Sequence, residues 1–295
     1  MSPAAHDFIQ LDLAPLLAAT LAAMPCGLLG NFLVLRKLSL MGDAISHSVL
    51  PGLVIAFMIT ATRNPFAMLI GAAVAGIATV VLVEVVKKLG RVEPGAAMGV
   101  IFSVLFALGV LLIERAARSV DLDADCVLYG QLEALSFAWF PPADWSALLS
   151  WQGLAGENGL PRQVWTLAVM FAVAAGFTTV FFKELRIASF DPALATTQGF
   201  HAGFLYIVLM ALVAAATVAS FEAVGSILVI AMLICPAAAA RLLTDRLRTQ
   251  MWVSLIIAAG CGGVGYFSAT RLPPLIDHDA VNIAGSVTAV AGLAV

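Results

Sequence analysis

Residues 202–221 read AGFLYIVLMALVAAATVASF, twenty consecutive residues without a single Asp, Glu, Lys or Arg. A helix rises about 1.5 Å per residue, so a helix of this length spans about 30 Å, the thickness of the hydrocarbon core of a bilayer. The stretch therefore predicts a transmembrane helix.

Eight further stretches are also mostly apolar and free of these charged residues. In chain order the nine predicted spans are 13–35, 44–62, 64–83, 94–113, 163–182, 202–221, 223–240, 249–270 and 280–295, the last one short. We interpret the apolar piece 126–140, which Glu133 interrupts, as a re-entrant or partly buried segment. The sequence therefore predicts an all-α polytopic membrane protein with about eight or nine transmembrane helices plus this segment. We expect a single transmembrane domain over residues 1–295.

Composition supports this class and excludes others. Of the 295 residues, 62% are apolar and 11% are charged, against roughly 25% charged in an ordinary soluble domain. A soluble enzyme and a disordered chain are therefore excluded. The 15 basic and 18 acidic residues leave a net charge of −3, which excludes a nucleic-acid partner bound through a basic surface.

Basic residues follow every second predicted span. The clusters contain Arg36 and Lys37, Lys87 and Lys88, Lys183 and Arg186, and Arg241 and Arg246. Because Lys and Arg concentrate on the cytoplasmic side, this spacing predicts an outer N-terminus and an inner C-terminus. The segment 183–199 is then a cytoplasmic connection of mixed charge.

The sequence lacks the common catalytic motifs. There is no GxxxxGK[ST] phosphate-binding loop, no HExxH zinc motif and no GxSxG nucleophile motif. We therefore predict a transporter, a channel or an assembly component with no ATPase motif of its own and no tightly bound cofactor. The polar groups within the predicted spans become the candidate functional residues.

Asp43 and His47 are the clearest of these groups. They are four residues apart, so on a helix they share one face. If that helix begins near Arg36, His47 lies roughly 16 Å deep in the bilayer. Carboxylate oxygen and imidazole nitrogen suit divalent Mn, Fe and Zn, and ionisable groups at such depth are functional candidates. A hydrogen-bonded pair that only fixes helix packing explains the same spacing, and the residues alone leave both interpretations open.

Two prolines lie within predicted spans. Pro51 has no N–H to donate to the carbonyl of His47, so we expect a kink there that frees this oxygen. Ser46 and Ser48 would supply further polar atoms. Pro236 predicts a second kink, in the span 223–240.

The residues around this pair carry a resemblance to a known family. The stretch 36–52, RKLSLMGDAISHSVLPG, resembles the signature of the membrane permeases of metal-ion ABC importers of the manganese, zinc and iron type. Residues 182–195, FKELRIASFDPALA, and 224–240, VGSILVIAMLICPAAAA, resemble two further segments of the same family. Residues 120–130, VDLDADCVLYG, resemble a stretch of its manganese-type members. The matches occur in family order between about residues 15 and 270.

The resemblance implies a function and a set of partners. It implies a permease subunit in the bacterial cytoplasmic membrane that works with a second copy or a paralogue, a cytoplasmic ATPase and an extracytoplasmic metal-binding protein. It implies that Asp43 and His47 are ligands on the ion pathway, and that Phe190, Asp191 and Pro192 couple the permease to the ATPase. The transported ion is then divalent, with Mn²⁺ favoured over Zn²⁺ and Fe²⁺.

Glu222 is the one formal charge between His201 and Arg241. It lies at the outer tip of a hairpin if the spans are 202–221 and 223–240, or lines the pathway if the second span begins earlier. We keep it as a weaker candidate ligand, since the resemblance assigns it no role.

Two other functions remain open from the residues alone. Intramembrane acids and a histidine also suit a self-sufficient proton-coupled metal transporter, in which they form a proton relay. A structural membrane component without any pathway is the third interpretation.

Overall fold

The computed structural model describes residues 11–38, 40–60, 65–116, 132, 160–273 and 281–295. These residues are almost entirely helical, and no β-strand occurs among them, so the prediction of an all-α membrane protein is confirmed. The predicted re-entrant piece 126–140 lies outside the described residues except for Leu132.

Twelve helices fall within the described residues. In chain order they are α1 (Leu13–Leu35), α2 (Leu40–Ser48), α3 (Leu50–Thr60), α4 (Pro65–Gly90), α5 (Pro94–Ala116), α6 (Arg162–Val180), α7 (Phe182–Phe190), α8 (Pro192–Thr197), α9 (Ala202–Val224), α10 (Ser226–Leu243), α11 (Leu247–Arg271) and α12 (Ile283–Leu293).

Eight spans are long and apolar enough to cross a bilayer, and each overlaps one of the first eight predicted stretches. The second span, Met41–Thr60, combines α2 and α3. The ninth prediction, 280–295, corresponds to α12, which has 11 residues and reaches about 16 Å at 1.5 Å per residue. The described part of the chain thus contains eight full spans and a shorter ninth helix.

Helix α1 lies at the centre of the bundle and packs against α6, α9, α10 and α11. Small residues along it permit close approach, as is usual between membrane helices. A Cβ added to Gly30 would overlap the carbonyl oxygen of Leu233 on α10. On the α11 side, the Ser254 hydroxyl donates to the carbonyl of Gly27 at 2.8 Å. The tight packing of α1 gives the other helices a common support.

Helices α2 and α3 pack chiefly against α4 and α5. A Cβ on Gly52 would overlap the carbonyl oxygen of Gly71 on α4, and a Cβ on Gly109 of α5 would lie 3.0 Å from Leu50 and Pro51. These glycines allow the junction between α2 and α3 to be held closely by two neighbouring helices.

Candidate metal pathway and coupling segment

The candidate ligands Asp43 and His47 lie on the partly exposed face of α2. From Met41 to Val49 every residue except these two is buried. The His47 Nε2 atom lies 3.4 Å from Asp43 Oδ1, and their side chains are 29% and 40% exposed. The two side chains therefore share one face, as their spacing predicts, and an approaching ion can reach both.

Helix α2 begins at Leu40, so the premise that it begins near Arg36 is wrong. Helix α1 ends at Leu35, and Lys37 then has a φ of 56°. The Lys37 N–H donates to the Val34 carbonyl and the Leu38 N–H to that of Leu33, the bonds that close a helix C-terminus. His47 is therefore about 10 Å of helix rise beyond the start of α2.

Aromatic rings of α5 form one wall beside His47. The Phe102 ring centroid lies 5.2 Å from that of His47, and the Phe106 centroid lies 5.7 Å away with the rings nearly perpendicular. These contacts restrict the rotation of the imidazole and exclude water from one side of it. The pair thus combines an apolar wall with an accessible face.

The two serines beside His47 do not join this face. Both are buried: the Ser46 hydroxyl donates to the Gly42 carbonyl at 2.8 Å, and Ser48 donates to the Ile45 carbonyl at 3.1 Å. Ser48 also accepts a bond of 2.6 Å from Thr79 of α4. The expectation that Ser46 and Ser48 add polar atoms beside the pair is therefore wrong, because these hydroxyls are hydrogen-bonded within the bundle.

The helical path is interrupted at Val49, two residues before Pro51. Because Pro51 has no N–H, a regular helix cannot continue from α2 into α3 with all its bonds, and the Gly52 and Leu53 N–H groups both donate to the Val49 carbonyl. Pro236, in contrast, lies inside the continuous helix α10, and a kink there stays a prediction.

Glu222 belongs to the last turn of α9, and Gly225, with a φ of 79°, separates α9 from α10. The backbone of Glu222 thus belongs to the first helix of the predicted hairpin. The neighbouring residues Ala223, Val224 and Ser226 are buried, so the junction itself packs within the protein. A ligand role for Glu222 stays a prediction.

A polar cluster joins the end of α1 to α7. The Arg36 Nε atom donates to the Ser189 hydroxyl of α7 at 3.2 Å, and the Arg36 guanidinium lies 5.4 Å from the ring centroid of Tyr206 on α9. The Lys87 ammonium of α4 lies 5.8 Å from the same centroid and 3.0 Å from Glu84 Oε2. Four helices thus meet around Tyr206.

Burying the Arg36 guanidinium in this cluster costs free energy. Burial lowers the pKa of Arg36 from its ordinary value, an effect that Tyr206 partly opposes. Its Nη2 atom is buried and has no hydrogen-bond partner among the described residues. A guanidinium in this setting stays charged, so the buried Nη2 donor without a partner lowers the stability of the fold.

The coupling prediction Phe190–Asp191–Pro192 falls at the junction of α7 and α8. The Asp191 carboxylate accepts a 2.9 Å bond from the Leu194 N–H, which caps α8, and Pro192 is the first residue of that helix. Asp at the N-cap followed by Pro is a favoured helix start. Helix capping alone therefore accounts for these two residue types.

The same junction presents an apolar surface. Phe190 is 61% exposed and Leu194 is 46% exposed. Ser189, the neighbour of Phe190, is the residue that Arg36 contacts. The surface is thus linked to the α1–α2 turn through one peptide bond and one hydrogen bond.

The sequence reading missed Ser189 and Tyr206, which lie 153 and 170 residues from Arg36 (189 − 36 and 206 − 36). From the sequence, Arg36 is a marker of topology and the first residue of a family-like stretch, with no predicted contact partner. The one available signal was its position at the start of the stretch 36–52, next to the candidate ligands.

The candidate site brings together two candidate ligands within this chain. In the described residues no group of three or more His, Cys, Asp or Glu side chains is close enough to hold a metal ion. Because divalent transition metals in proteins take four or more ligands, Asp43 and His47 supply at most part of a coordination shell.

Comparisons with known proteins agree on the family. A manganese transport system membrane protein of Bacillus subtilis, MntD, is 39% identical over 92% of this chain and 86% of its own length. The zinc transport system membrane protein TroD of Treponema pallidum is 38% identical over 75% of this chain and 56% of its own.

A solved structure agrees as well. It is described as PsaBC from Streptococcus pneumoniae in complex with Fab and superposes with a TM-score of 0.75 at 27% identity, over 98% of this chain and 91% of that one. The family model described as the ABC 3 transport family matches residues 7–138 and 160–274 of this chain. This multi-pass membrane chain therefore belongs to the ABC 3 transport family.

Proposed function

We propose that this chain is the membrane subunit of an ATP-driven importer of a divalent transition-metal ion, with Mn²⁺ the favoured cargo. The Asp43–His47 pair carries the proposal, since it is the unburied polar stripe of a tightly packed membrane helix. Relatives named for manganese and zinc transport support the choice of ion. Carboxylate and imidazole alone do not choose between these metals.

Two copies, or this chain and a paralogue, would complete the ion site. Each supplies one Asp and one His, so the pairs from two subunits give four ligands of the types that Mn²⁺ and Zn²⁺ accept. The Phe102 and Phe106 rings on α5 would keep the rest of the site apolar. The ion would pass between the subunits, with access alternating between the two sides of the membrane.

Three further partners follow from this function. An extracytoplasmic protein would deliver the ion, a cytoplasmic ATPase would supply the energy, and the membrane would be the bacterial cytoplasmic membrane. We assign Phe190, Asp191 and the adjoining helix α8 to the ATPase contact, because an exposed aromatic and Leu194 lie together at one capped turn.

We assign Arg36 a positioning role between this contact and the ion site. Its bond to Ser189 holds α7, and the closed turn after α1 leads directly into α2. A shift of α7 driven by the ATPase would therefore move the turn, and with it Asp43 and His47. Tyr206 and Lys87 would guide that movement from α9 and α4.

Uptake of radioactive Mn²⁺ in cells that co-express the ATPase and the delivery protein tests the ion site. We expect Asp43→Asn and His47→Ala each to reduce uptake at least tenfold, since a bound ion would lose one of its few ligands. Glu93→Gln and His201→Ala, exposed residues outside the candidate site, are the matched controls. Normal uptake by both site variants would refute the assignment.

The proton-coupled alternative is separated by omitting the ATPase. Membership of the ABC 3 transport family favours the ATP-driven mechanism. Uptake that persists without the ATPase and collapses with the proton gradient would instead support a self-sufficient transporter.

A further inference from the structure

A groove runs between α1, α6 and α11, away from the candidate ion site. It encloses about 350 Å³ and is lined by apolar side chains that include Leu28, Phe171 and Leu255. Arg248 is the single charged residue of this lining. The helices packed around α2 are chiefly α4, α5, α9 and α10, so an occupant of the groove need not touch Asp43 or His47.

The groove covers most of the depth of one lipid leaflet. Along α11 it extends from Arg248 to Leu255, seven residues or about 10 Å of rise, and along α6 from Phe171 to Thr179, about 12 Å. Half of a hydrocarbon core of about 30 Å is about 15 Å. Trp252, 65% exposed, lines the groove near its charged end, where an aromatic suits the membrane interface.

A second cavity, of about 530 Å³, adjoins the charged end and shares Phe182 and Arg248 with the groove. Its lining adds Arg186 of α7, Arg246 and Phe190, so the cavity borders the surface assigned above to the ATPase contact. Among the described residues, no carboxylate forms an ion pair with Arg186, Arg246 or Arg248. The one acid in the lining, Asp245, is 95% exposed and pairs with Arg241 at 3.5 Å.

We propose that an anionic glycerophospholipid occupies this site, with an acyl chain in the groove and its phosphate among Arg186, Arg246 and Arg248. Three like charges around one cavity repel each other, and a phosphate relieves the repulsion while forming charge-assisted bonds to guanidinium. Arg248 is well placed between the two parts, since its guanidinium carbon lies 5.9 Å from the Phe182 ring centroid. The lipid bridges α11 to α7 and so stabilises the position of the coupling segment.

Native mass spectrometry of the purified chain in neutral detergent tests this site, with phosphatidylglycerol and phosphatidylcholine as probes. We expect phosphatidylglycerol to remain bound and phosphatidylcholine to dissociate. Arg248→Gln and Arg246→Gln should each weaken retention roughly fivefold, the effect of one basic residue near a charged lipid surface. Arg91→Gln, an exposed arginine outside both cavities, is the matched control and should change nothing. Ala175→Phe should also reduce retention, because it fills the groove without changing charge.

Several outcomes would overturn the proposal. Equal retention of both lipids, or an equal loss in Arg91→Gln, would mean that no defined anionic site exists. Full competition by inorganic phosphate would reduce the site to a phosphate cavity without a lipid chain. Release of phosphatidylglycerol on adding the ATPase would assign the three arginines to a protein interface. Thermal unfolding of each variant separates these results from misfolding.

Discussion

Replacing Arg36 by Met should uncouple transport from ATP hydrolysis with little loss of stability. The change keeps a long apolar stem but removes the guanidinium, and with it the bond to Ser189 and the contact with Tyr206. We expect the ion to bind as before, because Asp43 and His47 are untouched. The movement of α7 should no longer reach α2.

The free energies of the contacts of Arg36 predict only a small loss of stability when they are removed. A hydrogen bond from a charged donor contributes about 1.5–3 kcal/mol, and a partly desolvated cation–π contact about 1–2 kcal/mol. Against them stands the buried Nη2 donor without a partner, which costs about 1–3 kcal/mol. The net destabilisation by Arg36→Met should therefore be about 1–2 kcal/mol.

A double-mutant cycle with Ser189→Ala isolates the bond. Alone, Ser189→Ala leaves the Arg36 Nε atom without its acceptor and should cost about 1–3 kcal/mol. In the Arg36→Met background the same change should cost almost nothing. The interaction energy between the two positions should thus be about 1–3 kcal/mol.

The assay is the number of Mn²⁺ ions transported per ATP hydrolysed in proteoliposomes that contain the complete importer. Arg36→Met should lower this ratio at least tenfold while ATP hydrolysis continues, and Arg91→Gln should leave it unchanged. An unchanged ratio in Arg36→Met, or additive effects in the cycle, would refute the positioning role. Loss of Mn²⁺ binding in Arg36→Met would mean that Arg36 supports the ion site itself.

Three shorter predictions concern other parts of the chain. Asp191→Ala should destabilise α8 by about 1 kcal/mol and weaken ATPase binding, whereas Asp191→Asn keeps the cap on Leu194; equal loss in pull-down assays would show that the charge, not the cap, matters. Phe190→Ala should weaken ATPase binding without lowering the unfolding temperature, since the ring is 61% exposed; a lower unfolding temperature would contradict this. Gly30→Ala should cost about 3 kcal/mol or more in denaturant unfolding, because its Cβ meets the Leu233 backbone, while Gly176→Ala, which meets open space, should not destabilise.

The membrane spans could be predicted because charge is scarce in this chain. A long stretch without Asp, Glu, Lys or Arg indicates a spanning helix whatever its neighbours do, and eight of the nine stretches proved to be full spans. The shared face of Asp43 and His47 followed in the same way from helix periodicity. Both inferences need only local sequence.

The start of α2 and the contacts of Arg36 could not be predicted in this way. Lys37 adopts a left-handed conformation just after the end of α1, and α2 begins only at Leu40. Lys is not a residue that favours this conformation, so the sequence does not indicate the break. The contacts of Arg36 with Ser189 and Tyr206 depend on how distant helices pack. Ser46 and Ser48 failed as candidates for the same reason, since their partners are set by the path of the backbone and by Thr79.

The proposed ligand pair Asp43 and His47, which would form only half of a coordination shell, also fits the physical demands of transport. A resident metal site is closed by four or more ligands from one rigid shell, whereas a transported ion must be released within each cycle. Asp43 and His47 lie on a short helix that is interrupted at Val49 and anchored through the turn at Arg36. If the other ligands come from a partner subunit, a small rotation of α2 separates the two halves of the shell and lowers affinity steeply. The same two residues on a rigid, uninterrupted span would hold the ion without a means of releasing it.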